Sequence, residues 1–117
     1  DQSRVRDAYY GIEDNEYSYW GGNPVLGNDG KYHCFVAKWP EDTPRGHFDW
    51  FDATVAHAVA DDPLGPWAVL GEAYPYSNGG KGHNPEVRRL AKGRWALFLL
   101  KQPVYLTETN DINSKWI

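Results

Sequence analysis

The chain has 117 residues, which is enough for one globular domain and too few for two of ordinary size. Hydrophobic residues make up 41% and charged residues 24%, which excludes a disordered chain of low hydrophobicity. The net charge of −4 argues against a general nucleic-acid binder, because such a protein needs a basic surface. Aromatic residues reach 15%, beside 12 Gly, 8 Pro and no Met. This mixture is typical of strands and turns, so we predict an all-β fold.

Several other classes of protein are disfavoured by the sequence. Cys34 is the only cysteine, and it lies in an apolar run that is typical of a small core residue. No apolar run approaches the roughly 20 residues of a membrane helix, so we expect no membrane partner. The four histidines lack the close spacing of paired zinc ligands, and no phosphate-binding or dinucleotide glycine motif is present. We therefore expect neither a metal nor a cofactor. The first residues, DQSR, contain no signal peptide.

The first part of the chain predicts a series of short strands. Residues 17–19 are β-prone, residues 20–24 (WGGNP) predict a break, and residues 24–26 (PVL) predict a short strand. The sequence GNDG at 27–30 is a strong hairpin signal, and the next nine residues, 31–39, predict a buried strand. A charged loop with two prolines follows at 40–46.

The second part of the chain continues this pattern. Residues 53–60 (ATVAHAVA) fit either a helix or a strand, and the alternation of valine and histidine favours a strand. Residues 67–70 predict another short strand, and residues 77–82 predict a Gly/Asn-rich loop. Residues 83–90 and 94–100 predict a second strand pair around the turn at 91–93. No segment predicts a helix.

An internal repeat relates the two predicted hairpins. Each has Asn-Pro, a short strand, a turn ending in glycine, a basic residue, an aromatic residue and an apolar strand. The second copy follows the first by 61 residues at the asparagine (Asn23 and Asn84) and by 63 at the turn glycine (Gly30 and Gly93). Four antiparallel strands recurring at about this spacing are typical of a β-propeller blade. The alternative is a chance similarity of two hairpins in an ordinary β-sandwich.

Residues 20–100 resemble the five-bladed β-propeller glycoside hydrolases, nearest to glycoside hydrolase family 43. Residues 23–32 (NPVLGNDGKY) are similar to the opening hairpin of a blade in that family. Residues 56–67 (AHAVADDPLGPW) resemble the third strand and turn of a blade, where the family commonly has Gly-Pro-Trp. Residues 83–87 (HNPEV) and 93–98 (GRWALF) resemble the opening and second strand of another blade.

The resemblance implies antiparallel four-stranded blades of a partial β-propeller, roughly two of five. We assign residues 20–70 to a first blade-like repeat and 83–117 to a second, incomplete one, within a single β-rich unit over 1–117. Five blades of this length need roughly 300 residues. The remaining blades are therefore expected from a longer parent chain or from homo-oligomerisation. The implied function is hydrolysis of a plant or algal polysaccharide or oligosaccharide, in a secreted or periplasmic setting.

A propeller would gather the residues that open its innermost strands around one mouth. For sugar binding we select side chains that can stack on a pyranose or hydrogen-bond to its hydroxyls, namely Trp20, Asn23, His47, Trp50, His83 and Asn84. Hydrolysis needs two carboxyl groups, and our first choices are Glu86 and Asp49. The other acidic candidates are Asp14, Glu41, Asp42 and Asp52.

Plainer interpretations of the same residues stay open. In the family the general base is the aspartate of an Asp-Pro opening, and here Asn23 stands in its place. An amide cannot take a proton from water, so a non-catalytic carbohydrate-binding module is the main alternative to an enzyme. Asn23 and Asn84 also suit a turn before proline, and Glu86 suits a solvated strand. In a third hypothesis, the chain is a structural fragment whose aromatic residues form its core.

Overall fold

The computed structural model describes residues 12, 17–40, 53–73 and 83–117, and among these it contains strands and turns without a helix. The strands are β1 (Tyr17–Trp20), β2 (Val25–Leu26), β3 (Tyr32–Pro40), β4 (Thr54–Ala60), β5 (Ala68–Glu72), β6 (Glu86–Arg89), β7 (Trp95–Phe98) and β8 (Tyr105–Leu106). Every strand pair is antiparallel. The prediction of an all-β, antiparallel protein is therefore confirmed. Pro40, the first residue of the loop predicted at 40–46, instead ends β3 and pairs with Tyr17, and the rest of that loop and the loop predicted at 77–82 lie outside the described residues.

The first sheet has the order β1-β3-β4-β5, and β2 also pairs with β3. The break predicted at residues 20–24 does not include Trp20, because Trp20 belongs to β1 and pairs with Ala37. β2 continues along the same edge of β3, where Val25 pairs with His33. The five residue steps from Trp20 to Val25 therefore lie opposite only four steps of β3, from Ala37 to His33. β1 and β2 thus form one strand interrupted by a bulge.

Gly22 allows this bulge to lie against β3. Its φ is +85°, which is a backbone conformation that other residues rarely adopt. A Cβ atom at this position would lie 2.5 Å from the carbonyl oxygen of Phe35 and 2.8 Å from Cγ1 of Val36. A side chain here would therefore force the two strands apart.

The long pair formed by β3 and β4 is the centre of the first sheet. Seven residue pairs join the two strands, from Tyr32 with Ala60 to Lys38 with Thr54. β3 is buried on both faces, and Phe35 and Val36 on opposite faces are 1% and 4% exposed. The strand predicted at 53–60 is confirmed, because β4 is a strand whose alternate residues meet their partners on β3.

The second sheet has the order β6-β7-β8 and contains the second predicted hairpin. Residues after β8 extend the sheet beyond the prediction. Leu106 and Ile117 exchange two backbone hydrogen bonds of 3.0 and 2.8 Å, and Thr107 forms a bridge with Trp116. The amide of Glu108 also donates to the carbonyl of Lys115 at 2.8 Å. The last three residues thus add a fourth, strand-like edge to this sheet.

The two sheets pack against each other through one hydrophobic core. The core cluster combines buried side chains of β3 and β4 with those of the second sheet and the C-terminal loop: Phe35, Val55, Val87, Trp95, Leu97, Leu99, Ile112 and Trp116. Trp116 meets Phe35 edge to face, with ring centroids 5.6 Å apart. The predicted hairpins therefore fold against each other and share the same interior.

Candidate functional site

The two asparagines selected for sugar binding occupy equivalent places in the two sheets. Asn23 is exposed and precedes Pro24 and β2, and Asn84 is exposed and precedes Pro85 and β6. The φ of Asn84 is +48°, in the left-handed region that asparagine tolerates better than most residues. This geometry supports turn chemistry at residue 84, and it leaves the amide group in contact with solvent.

Both openings lead into the shared core. Val25 lies two residues after Asn23 and packs against the core cluster, while Val87, three residues after Asn84, belongs to that cluster. The sheets are also in direct contact through β3 and β6. The strands that follow the two openings therefore contribute to the same interior.

His83 is hydrogen-bonded to Leu100, which lies two residues after the end of β7. The side chain is half-buried, and its backbone carbonyl accepts a hydrogen bond of 3.0 Å from the amide of Leu100. This bond fixes the segment that presents Asn84 and Glu86. The segment is therefore held at one end by Leu100, which follows β7, and at the other end by the pairing of Glu86 with Phe98.

Glu86 forms an ion pair with Arg88 on the same face of β6. Oε1 of the glutamate accepts hydrogen bonds from Nε and Nη2 of the arginine at 3.0 and 2.8 Å. Both side chains are solvent-accessible, with 45% of Glu86 and 68% of Arg88 exposed. A pair so exposed contributes little to stability, which leaves both groups available to a ligand.

The other selected residues lie in β1 or outside the described part of the chain. Trp20 is in β1, at the position opposite Ala37. His47, Asp49 and Trp50 lie outside the described residues, as do the remaining acidic candidates, Asp14, Glu41, Asp42 and Asp52.

A chain of three polar side chains, the solvent-accessible Asp29 and the buried His33 and His57, joins the β2–β3 turn to β4, and the sequence analysis did not select it. Nε2 of His33 lies 2.9 and 3.0 Å from the two carboxylate oxygens of Asp29. Nδ1 of His33 lies 2.7 Å from Nε2 of His57. His33 is fully buried and His57 is 9% exposed, with its ring stacked on Phe35 at a centroid distance of 4.3 Å. Polar groups in such a setting are costly unless they are paired, as they are here.

Electrostatics favours a charged Asp29 and a neutral His57. Burial raises the pKa of Asp29, but hydrogen bonds from His33, the Lys31 amide and Asn113 outweigh it and bring the pKa below the ordinary 3.8. Burial, reinforced by repulsion from His33, lowers the pKa of His57 from 6.5 to about 4 against the attraction of Asp29. Since an ionised carboxylate only accepts hydrogen bonds, Nε2 of His33 carries the proton that faces Asp29.

This turn also holds the C-terminal loop. Oδ1 of Asn28 accepts a hydrogen bond of 2.8 Å from the buried Ile112 amide, and Nδ2 of Asn113 donates to Asp29 at 3.2 Å. A Cβ atom on Gly27 would lie 2.7 Å from Oδ1 of Asp29 and from Cδ2 of His33, so glycine is required beside the pair. The histidine chain is therefore part of the connection between the two sheets.

An open apolar cleft of about 250 Å³ lies on the opposite face of the first sheet. Cys34 and Val36 of β3 border it, and Tyr19 and Trp67 contribute aromatic walls. Burial raises the pKa of the Cys34 thiol to about 11, so the thiol is protonated at neutral pH and is a poor nucleophile. The prediction that Cys34 is a core residue is confirmed by its 6% exposure.

The described residues contain no group of three or more His, Cys, Asp or Glu side chains arranged to hold a metal ion. Within the same ranges, no helix has the length and apolar character needed to cross a membrane. Comparisons with protein-family models, curated proteins and solved structures find no match to this chain.

Proposed function

We propose that this chain forms two adjacent blades of a carbohydrate-active β-propeller that resembles glycoside hydrolase family 43. The observation that carries the proposal is the repeated opening, in which an exposed asparagine and a proline precede β2 and again precede β6. The two openings share one core through Val25 and Val87. Four antiparallel strands in sequence order, β2-β3-β4-β5, support the blade assignment of the first repeat.

The residues at these openings have the chemistry that sugar hydroxyls require. A hydroxyl group both donates and accepts hydrogen bonds, and the amides of Asn23 and Asn84 do the same. The Glu86–Arg88 pair adds an acceptor and several donors on the neighbouring strand. The solvent-accessible amides and ion pair can therefore reach a carbohydrate without disturbing the core.

Hydrolysis of a glycosidic bond is the leading reaction, and Glu86 is the carboxylate that we assign to it. Such a reaction needs a second carboxyl group on the other side of the scissile bond. We assign that role to Asp49 or to a residue of the remaining blades. The substrate class is a plant or algal polysaccharide or oligosaccharide, and the expected setting is secreted or periplasmic.

A non-catalytic carbohydrate-binding function is favoured by two specific observations. Asn23 stands at the position of the family's general base and cannot act as one. In addition, Oε1 of Glu86 is already hydrogen-bonded twice by Arg88. Both observations suit binding of a sugar more directly than proton transfer to it.

Release of reducing ends from arabinoxylan, agar and carrageenan oligosaccharides distinguishes the two functions. An enzyme releases them, and Glu86→Gln lowers the rate by about 100-fold or more, whereas Lys92→Ala in the exposed β6–β7 turn does not. A binding module shows a saturable change in tryptophan fluorescence without release. If none of these oligosaccharides is cleaved or bound, the carbohydrate proposal is wrong.

A further inference from the structure

The contact between the two sheets has a counterpart that is left open. The repeat aligns residues 32–36 of β3 with residues 95–99, which comprise β7 and Leu99. Phe35 of β3 faces the second sheet, where it packs with Leu97 and Leu99. Its counterpart by the repeat is Phe98, which lies on the opposite face of the second sheet from Leu97.

Phe98 is exposed where Phe35 is covered. Phe35 is 1% exposed because the second sheet lies over it, whereas 38% of Phe98 is accessible to solvent. Leu100, two residues further on, is 44% exposed. Phe98 thus points outward from its sheet, although its counterpart in the repeat, Phe35, is buried against another sheet. This difference indicates that the face with Phe98 receives another sheet.

The matching receptor lies on the first sheet. Leu97 and Leu99, which receive Phe35, align by the repeat with Cys34 and Val36. Those two residues are only 6% and 4% exposed and form the floor of the open cleft of about 250 Å³, whose walls include Ile12, Tyr19 and Trp67. A phenylalanine side chain fits a cleft of this size, and its walls are the apolar and aromatic groups that such a side chain prefers.

We infer that the chain associates head to tail with a second copy of itself, with Phe98 of one copy in the Cys34–Val36 cleft of the next. This contact repeats between molecules the packing that already joins the two sheets within one molecule. The contact is heterologous, since each copy offers a different surface on each side, so it extends to a ring or to a filament. Glu86 pairs with Phe98 across β6 and β7 and lies on the same face, so the contact borders the carboxylate that we assign to hydrolysis.

Sedimentation or light scattering over a concentration series tests the association. Wild-type protein is expected to exceed the 13.3 kDa monomer mass as its concentration approaches about 1 mM. Phe98→Lys removes the apolar side chain and places a cation opposite Glu86, its cross-strand partner, so the sheet is retained. Leu64→Lys is the matched control, because Leu64 is 55% exposed in the β4–β5 turn and neither lines the cleft nor belongs to the second sheet. We expect a loss of association of at least about tenfold for Phe98→Lys and none for the control.

A mixing experiment tests the head-to-tail arrangement. Pro24→Lys places a charge at the exposed rim of the cleft and is expected to abolish self-association as Phe98→Lys does. Each variant keeps the surface that the other lacks, so an equimolar mixture is expected to form a species of twice the 13.3 kDa monomer mass and nothing larger. Circular dichroism checks the fold of both variants, and we expect both to retain their β structure.

Three results would overturn the inference. The first is a wild-type protein that stays monomeric over the whole concentration series. The second is a loss of association in Leu64→Lys equal to that in Phe98→Lys. The third is an oligomer that Phe98→Lys disrupts and Pro24→Lys does not, because that outcome means a symmetric contact between two Phe98 side chains.

Discussion

The imidazole rings of His33 and His57 are joined by a hydrogen bond of 2.7 Å between Nδ1 of the first and Nε2 of the second. Only one proton fits between these nitrogens, since two N–H groups pointed at each other would repel in a buried site. Nε2 of His33 is already committed to Asp29. The two rings therefore cannot both be protonated at once, and burial, which lowers the pKa of His57, makes His57 the ring that stays neutral.

We expect the free energy of unfolding to fall as the pH is lowered from 6.5 to about 4. The pKa of His57 is about 4 in the folded protein and 6.5 as its ordinary value, so the unfolded chain binds more protons in this window. The contribution of a neutral His57 is complete above pH 6.5 and is lost as the pH falls towards the folded pKa. The loss amounts to about 3 kcal/mol at most.

Urea unfolding at a series of pH values from 7 to 4 measures this loss. His57→Asn keeps a hydrogen-bonding side chain at the position but has no imidazole to titrate. We expect its stability to depend less steeply on pH than that of the wild type in this window. Equal slopes for the two proteins would show that His57 is not the titrating group.

Asn28 is expected to fasten the C-terminal loop to the first sheet. Asn28→Ala leaves the buried amide of Ile112 without its acceptor at 2.8 Å, which costs about 1–2 kcal/mol of unfolding free energy. Hydrogen exchange of the Ile112 amide is expected to accelerate in parallel. Asn23→Ala is the matched control at an exposed asparagine, and it should change stability by less than about 0.5 kcal/mol. Equal losses in the two variants would contradict the role of Asn28.

Substitution of two adjacent glycines distinguishes the cost of a positive φ from the cost of a clash between an added Cβ atom and β3. Gly21 and Gly22 have φ of +77° and +85°, but an added Cβ meets nothing within 4 Å at Gly21 and lies 2.5 Å from a carbonyl oxygen at Gly22. Gly21→Ala is expected to cost about 1 kcal/mol from its backbone conformation. Gly22→Ala adds the clash and is expected to cost at least about 2 kcal/mol more. Thermal unfolding of both variants tests this difference, and equal melting temperatures would exclude the close approach.

Most strands of this fold could be predicted because their signals are local. The Gly-Asn-Asp-Gly turn and the alternation in residues 53–60 correspond to the β2–β3 hairpin and to β4. The pairing of residues 115–117 with 106–108 could not be predicted from the sequence. The two segments are short and partly polar, and they pair only because tertiary packing brings them together. The bulge at Gly22 depends on a register that no local pattern specifies.

The candidate site divides in the same way. The exposed asparagines are recognisable as openings before proline in two copies of one pattern. The contact of His33 with His57 depends on the registers of β3 and β4, which place both rings on one face. The two histidines are 24 residues apart in the sequence, and no local pattern indicates that they are in contact. The hydrogen bond from Ile112 to Asn28 spans 84 residues and follows from the packing of one sheet on the other.

Calorimetric titration with the oligosaccharide panel tests the central claim, that the two Asn-Pro openings bind carbohydrate. We expect saturable binding by the wild type and a weakening of at least about tenfold in Asn23→Ala and in Asn84→Gly, which removes the amide but accepts the φ of +48°. Lys92→Ala should bind as the wild type does. Absence of binding by the wild type, or unchanged binding in both asparagine variants, would contradict the claim.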